Sequence, residues 1–163
     1  MDTTGSNIAS IIAALSAIFI TTSHLSARIG ETPQECAARY GQPIKTLQED
    51  MLLYEKAGLG VIVTFYKGRA DAIAYRKIAE NALGKGEKIS DNEIEFLLKS
   101  NSGDTPWKKR SVISMNREWE SENSNLLATY ITFENLLVVA TQDYLAREKA
   151  KKNAKEGKTL DGF

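Results

Sequence analysis

Apolar and polar positions divide the chain into one unbroken apolar run near the N-terminus and two later stretches where helical and strand spacing alternate. The run Ile8–Ile20 reads IASIIAALSAIFI and carries no charge. Thr32-Pro33-Gln34-Glu35 then supplies a hydroxyl at the N-cap, proline at the first helical position and glutamate at the third. That capping box predicts a short helix over Pro33–Tyr40, stopped by Gly41 and kept from resuming by Pro43. Cys36 and Tyr40 are four apart and share its inward face with Ala37 close by. Strand spacing follows over Met51–Lys56, Val61–Tyr66 and Arg69–Arg76, with Ala57–Gly60 and Lys67-Gly68 as turns and a loop over Asn81–Lys88. A second capping box, Ser90-Asp91-Asn92-Glu93, opens a helix through Lys99 with Ile94, Leu97 and Leu98 on one face. After a turn-rich break at Asn101–Pro106, Ser111–Glu120 reads as a strand with Ile113, Met115 and Trp119 on one side. Leu126–Phe133 and Leu136–Thr141 form a hairpin across Glu134-Asn135. From Gln142 the pattern is helical through about Ala154 and then frays.

The order is therefore a helix followed by three strands, twice. It predicts an α+β fold of two helix–β-meander repeats, about 30–80 and 89–141, forming an antiparallel sheet with helices on one face. A single domain over 28–145 would precede a basic C-terminal tail over 146–163.

Composition narrows the function classes. The chain has 163 residues, 42% of them hydrophobic and 26% charged, which excludes wholesale disorder and a polytopic membrane protein. Lys+Arg 21 balances Asp+Glu 21, unlike the basic surplus with which dedicated nucleic-acid binders neutralise phosphates. One cysteine cannot form an internal disulfide, and no spacing points to a metal site or cofactor.

The apolar run is shorter than the roughly 20 residues that span a bilayer. It suits the core of a secretory leader over 1–27, cut after Ala27, or an uncleaved N-terminal anchor. The protein is thus expected to be exported, periplasmic or secreted. Because His24 is the only histidine, removal of the leader would exclude every mechanism that relies on imidazole.

The box Thr32–Glu35, the helix ending Tyr40-Gly41-Gln42-Pro43, and the strand pattern V-x-F-x-x-G over Val63–Gly68 resemble one repeat of the β-lactamase-inhibitor-protein-like fold. They are also similar to the small envelope lipoproteins of the SmpA/OmlA (BamE) type. The resemblance covers Gly30 to about Tyr75, and Ile89–Thr141 more loosely. It implies an exported, non-enzymatic protein whose sheet or rim binds another protein, with no catalytic residues to carry over. No lipobox cysteine follows the leader, and the second helix lacks the Tyr-Gly-x-Pro ending.

Several residues are candidates for function. Tyr54, Tyr66, Tyr75 and Trp107 are expected on the sheet face that helices leave bare, as rigid aromatic contacts for a protein partner in the cell envelope. Trp119 shares a side with Ile113 and Met115 and reads as core. Cys36 reads as a small buried hydrophobe. Lys149, Lys151, Lys152 and Lys155, with Arg147 and Lys158, form a basic tail able to touch a membrane surface. The acidic clusters Glu49-Asp50, Asp91/Glu93/Glu95 and Glu118/Glu120/Glu122 leave two alternatives open: a small hydrolase, or a ligand-binding protein with a carboxylate-lined cleft. An anchored structural component of the envelope is a third.

Overall fold

The computed structural model describes residues 28–78, 87–110, 115–122 and 125–160. The expected leader, His24 and most of the 81–88 loop lie outside the described residues, as do Ser111–Ser114.

The chain is α+β. Helix α1 (Pro33–Tyr40) is followed by β1 (Lys45–Gln48), β2 (Met51–Lys56), β3 (Leu59–Tyr66) and β4 (Arg69–Lys77). Helix α2 (Asp91–Ser102) is followed by β5 (Trp107–Arg110), β6 (Arg117–Ser121), β7 (Leu126–Ile131) and β8 (Leu136–Thr141), and α3 (Gln142–Leu160) ends the described chain. All eight strands join one antiparallel sheet in the order β1-β2-β3-β4-β8-β7-β6-β5. Each meander thus lies on its own side of a central β4–β8 pair.

Local chemistry accounts for the helix boundaries. The Thr32 hydroxyl accepts from the Glu35 backbone N–H at 3.2 Å, while the Glu35 carboxylate accepts from the Thr32 N–H at 2.7 Å. Gly41, at φ +92°, ends α1 by donating to the Ala37 carbonyl at 2.9 Å. Ser90 and Glu93 reproduce the reciprocal box at α2, which runs on past Lys99 to Ser102. The turns Ala57-Gly58 and Lys67-Gly68 have positive φ at both residues, as two-residue antiparallel hairpins require.

Three strand expectations are corrected. β1 and β5 were absent from the sequence pattern because Lys-Thr-Leu-Gln and Trp-Lys-Lys-Arg are short and polar; both form the sheet edges, where pairing on one side suffices. The strand expected over Ser111–Glu120 begins only at Arg117, and Met115 is exposed rather than inward. Helix α3 runs to Leu160 instead of fraying after Ala154.

The core lies between the sheet and α1 and α2. Cys36 and Tyr40 of α1 and Ile94, Leu97 and Leu98 of α2 pack over Val61, Val63, Ile73, Tyr75, Tyr130, Leu137 and Val139. Cys36 is fully buried, and burial, reinforced by Glu31, pushes its thiol up to about 12. It is therefore an unreactive packing residue.

Both capping carboxyls are held below their ordinary 4.5, Glu35 by the Thr32 backbone N–H and hydroxyl, Glu93 by the Ser90 hydroxyl and backbone N–H. Their stabilisation is complete above that value and lost as pH falls through the lower folded-state values. Ser90→Ala should cost about 1 kcal/mol at neutral pH and lower the thermal midpoint by a few degrees. The deficit should shrink in acid, which calorimetry across a pH series checks.

Candidate partner-binding face

Sheet register decides which side chains face away from α1 and α2. One row of cross-strand neighbours crosses all eight strands on that outward side. Lys45 lies opposite Leu53, Leu53 opposite Ile62, Ile62 opposite Ala74, and Ala74 opposite Val138. Val138 then lies opposite Thr129, Thr129 opposite Glu118, and Glu118 opposite Arg110. The row is charged at both ends and apolar through the middle. A parallel row, Met51, Thr64, Ala72, Ala140 and Leu127, leads to Glu120 and Lys108 and is charged at that end alone.

Solvated faces of antiparallel sheets ordinarily alternate to polar residues; strands apolar on both faces belong to sheets covered on both sides. Here Val61, Val63, Ile73 and Val139 on the helix side are almost wholly buried, whereas Leu53, Ile62, Ala74, Val138 and Leu127 are only half-buried. Ala72 and Ala140, nearer the end from which α3 departs, are buried. The outward side is thus an apolar strip with charged margins, covered at one end.

Comparison with protein-family models, curated proteins and solved structures gives no significant match. The site rests on its own geometry.

Three of the four aromatics expected on this face are placed otherwise. Register sets Tyr54 opposite Val61 and Val61 opposite Tyr75, so both tyrosines point under the helices and are buried. Tyr54 packs against Tyr40 with ring centroids 5.5 Å apart. The Tyr75 hydroxyl accepts from the Asn101 amide at 3.0 Å and lies 3.5 Å from the Tyr40 hydroxyl; burial raises it to about 12. Trp107 lies on the helix side of β5 and donates its indole N–H to the Leu98 carbonyl at 2.8 Å, tying the edge strand to α2. Trp119 is half-buried against the core. Tyr66 does face outward and is 46% exposed, but the Arg147 guanidinium sits 3.8 Å from its ring centroid.

That contact belongs to the clamp holding α3. β4 carries an irregularity: Thr64 pairs with Ala72 and Phe65 with Ala70, leaving Asp71 as an extra residue. Its carboxylate accepts from the Thr141 hydroxyl at 2.6 Å and forms an ion pair with Arg147. The same Thr141 hydroxyl accepts from the Tyr144 N–H at 3.0 Å, capping α3.

Asp91, Glu93 and the cluster Glu118/Glu120/Glu122 have local partners. Asp91 is ion-paired with Arg117 at 2.6 Å, whose hydrogen bond and charge hold its carboxyl below 3.8. Glu118 and Glu120 each lie 3.9 Å from Arg110, and Glu122 pairs with Lys108. A groove of about 640 Å³ between α2 and β5–β6 is lined by Asp91, Glu95, Asp104, Trp107, Arg117 and Trp119. Among the described residues, the carboxyls with displaced values (Glu35, Asp91 and Glu93) are all displaced downward, opposite to what general-acid duty requires.

Two substitutions test the tyrosine placement. The Tyr54 hydroxyl is buried without a partner among the described residues, so Tyr54→Phe should leave stability unchanged or raise it by up to about 1 kcal/mol. Tyr75→Phe removes a satisfied hydrogen bond and should cost about 1 kcal/mol. Denaturant titration of both variants checks the contrast, and equal effects would contradict these environments.

Proposed function

We propose that the protein is a non-enzymatic recognition module of the cell envelope or exterior that binds a protein partner on the outward face of its sheet. One observation carries this reading: a strip of half-buried aliphatic side chains runs across β2, β3, β4, β8 and β7, with charged residues toward the sheet edges. Contiguous apolar surface of this kind marks contact with another molecule, and a charged rim around an apolar centre is ordinary interface anatomy. Leu53, Ile62 and Val138 take the role first given to Tyr54 and Tyr75.

The export reading draws on the apolar run Ile8–Ile20, either a cleaved leader or an anchor. We read the two meanders as a duplicated unit. The recurrence of helix then meander and the two capping boxes support that reading, as they do the resemblance to the β-lactamase-inhibitor-protein-like and SmpA/OmlA (BamE) group. A second reading, a ligand-binding protein, is favoured by the tryptophan-lined groove beside α2.

Ile62→Lys and Val138→Lys place charge in the strip without touching the core. Each removes a half-buried aliphatic side chain and should cost about 1 kcal/mol while leaving the fold intact by circular dichroism. Each should also weaken capture of a common partner from an envelope fraction at least tenfold. Unchanged capture by both variants, with Trp107→Ala abolishing it, would transfer the function to the groove.

A further inference from the structure

Helix α3 is tied to the domain through its first turns. Thr141 caps it, and Arg147 ties it to Asp71 and Tyr66. From Lys149 to Gly157 every residue is exposed. A helix of this length without packing is marginal in water, and its alanines and lysines sustain it by propensity. Beyond Arg147 the sequence carries five lysines against Glu148, Glu156 and Asp161, with Lys151 paired to Glu148 and Lys152 to Glu156 along the helix. Lys151, Lys155 and Lys158 recur at the spacing that puts them on one side, with Lys152 adjacent, while Ala146, Ala150, Ala154 and Gly157 occupy another side. From Lys149 to Gly157 no bulky apolar residue accompanies the lysines, so this stretch attracts an anionic surface by charge.

A second observation indicates which surface. Gly30 donates to the Ala70 carbonyl, and Ala70 donates to the Glu31 carbonyl, both at 2.7 Å. The Arg69 guanidinium also donates to the Gly30 carbonyl at 3.1 Å. The chain therefore enters the domain beside Asp71, the residue that anchors α3. The apolar run Ile8–Ile20 precedes that entry point in sequence. Where the run is retained as an anchor, it and the basic arm join the domain at the same end of the sheet, which favours a membrane surface over a soluble polyanion.

We propose that the distal part of α3, centred on Lys151, Lys152 and Lys155, is an electrostatic arm that docks on an anionic phospholipid surface. This is independent of the partner face, since it uses neither the strip nor its margins. Each lysine near such a surface contributes about 1 kcal/mol, roughly a fivefold change in partition. The attraction decays over about 10 Å at 0.1 M salt.

Flotation of the whole chain with phosphatidylcholine vesicles, with and without phosphatidylglycerol, reads the arm as the excess bound to anionic vesicles. Binding through the apolar run is common to both vesicle types and cancels. The excess should fall about 25-fold in a Lys151→Gln/Lys155→Gln variant and vanish near 1 M salt, where screening shortens to about 3 Å. Both lysines are exposed, so circular dichroism should show an unchanged fold. Equal binding to the two vesicle types, an excess that survives the double substitution, or one that persists in high salt would overturn the proposal. So would retention on heparin or duplex DNA by a chain that ignores anionic vesicles. Ile62→Lys, which disturbs the partner face alone, should leave the excess present, so the two readings can fail separately.

Discussion

Pairing between β4 and β8 turns two meanders into one sheet, and the rest of the architecture depends on it. The strands meet over Ala72–Arg76 and Leu136–Ala140, with Ile73 against Val139 and Tyr75 against Leu137 beneath the helices. On the reverse side the same register sets Ala74 against Val138 and Ala72 against Ala140. One set of backbone hydrogen bonds therefore builds the floor of the core and the middle of the outward strip together. Because side chains alternate with a period of two, a one-residue slip would exchange the two faces and expose Tyr75.

Helices α1 and α2 cover only the side on which Val61, Val63, Ile73 and Val139 lie. The buried tyrosines show how fully that side is occupied: Tyr40, Tyr54 and Tyr75 fill the space between α1 and the sheet, and Asn101 of α2 completes the hydrogen bond to Tyr75. The outward side holds residues of nearly equal hydrophobicity under partial cover. That asymmetry supports recognition as the function, because the strands are apolar on both faces while the described helices α1 and α2 bury only one. Asp71, displaced by the irregularity in β4, adds a polar clamp at one end that holds the start of α3.

Much of the framework was legible in the sequence. Helix α1 has the boundaries that Thr32, Pro33 and Gly41 announce, and β2 and β8 begin and end where their apolar runs do. These features depend on contacts within a few residues. β1 and β5 were not legible, since a short edge strand needs only a neighbour with free hydrogen-bonding groups and leaves little trace in its own composition. Outward Leu53, Ile62 and Val138 were passed over for the opposite reason: in a mixed apolar run nothing local distinguishes a residue turned toward helices from one turned away.

The sequence alone determined the α+β class, the capped helices, the tight turns and the basic, alanine-rich character of the C-terminal helix, all set by local backbone and side-chain chemistry. Tertiary structure alone decided that Tyr54 and Tyr75 are core, that Trp107 braces an edge strand, and that Arg147 occupies Tyr66. Those outcomes depend on which residue of one strand lies opposite which residue of another. Such pairing joins positions as distant as Asp71 and Thr141, whose hydrogen bond no neighbouring residue in the chain foretells.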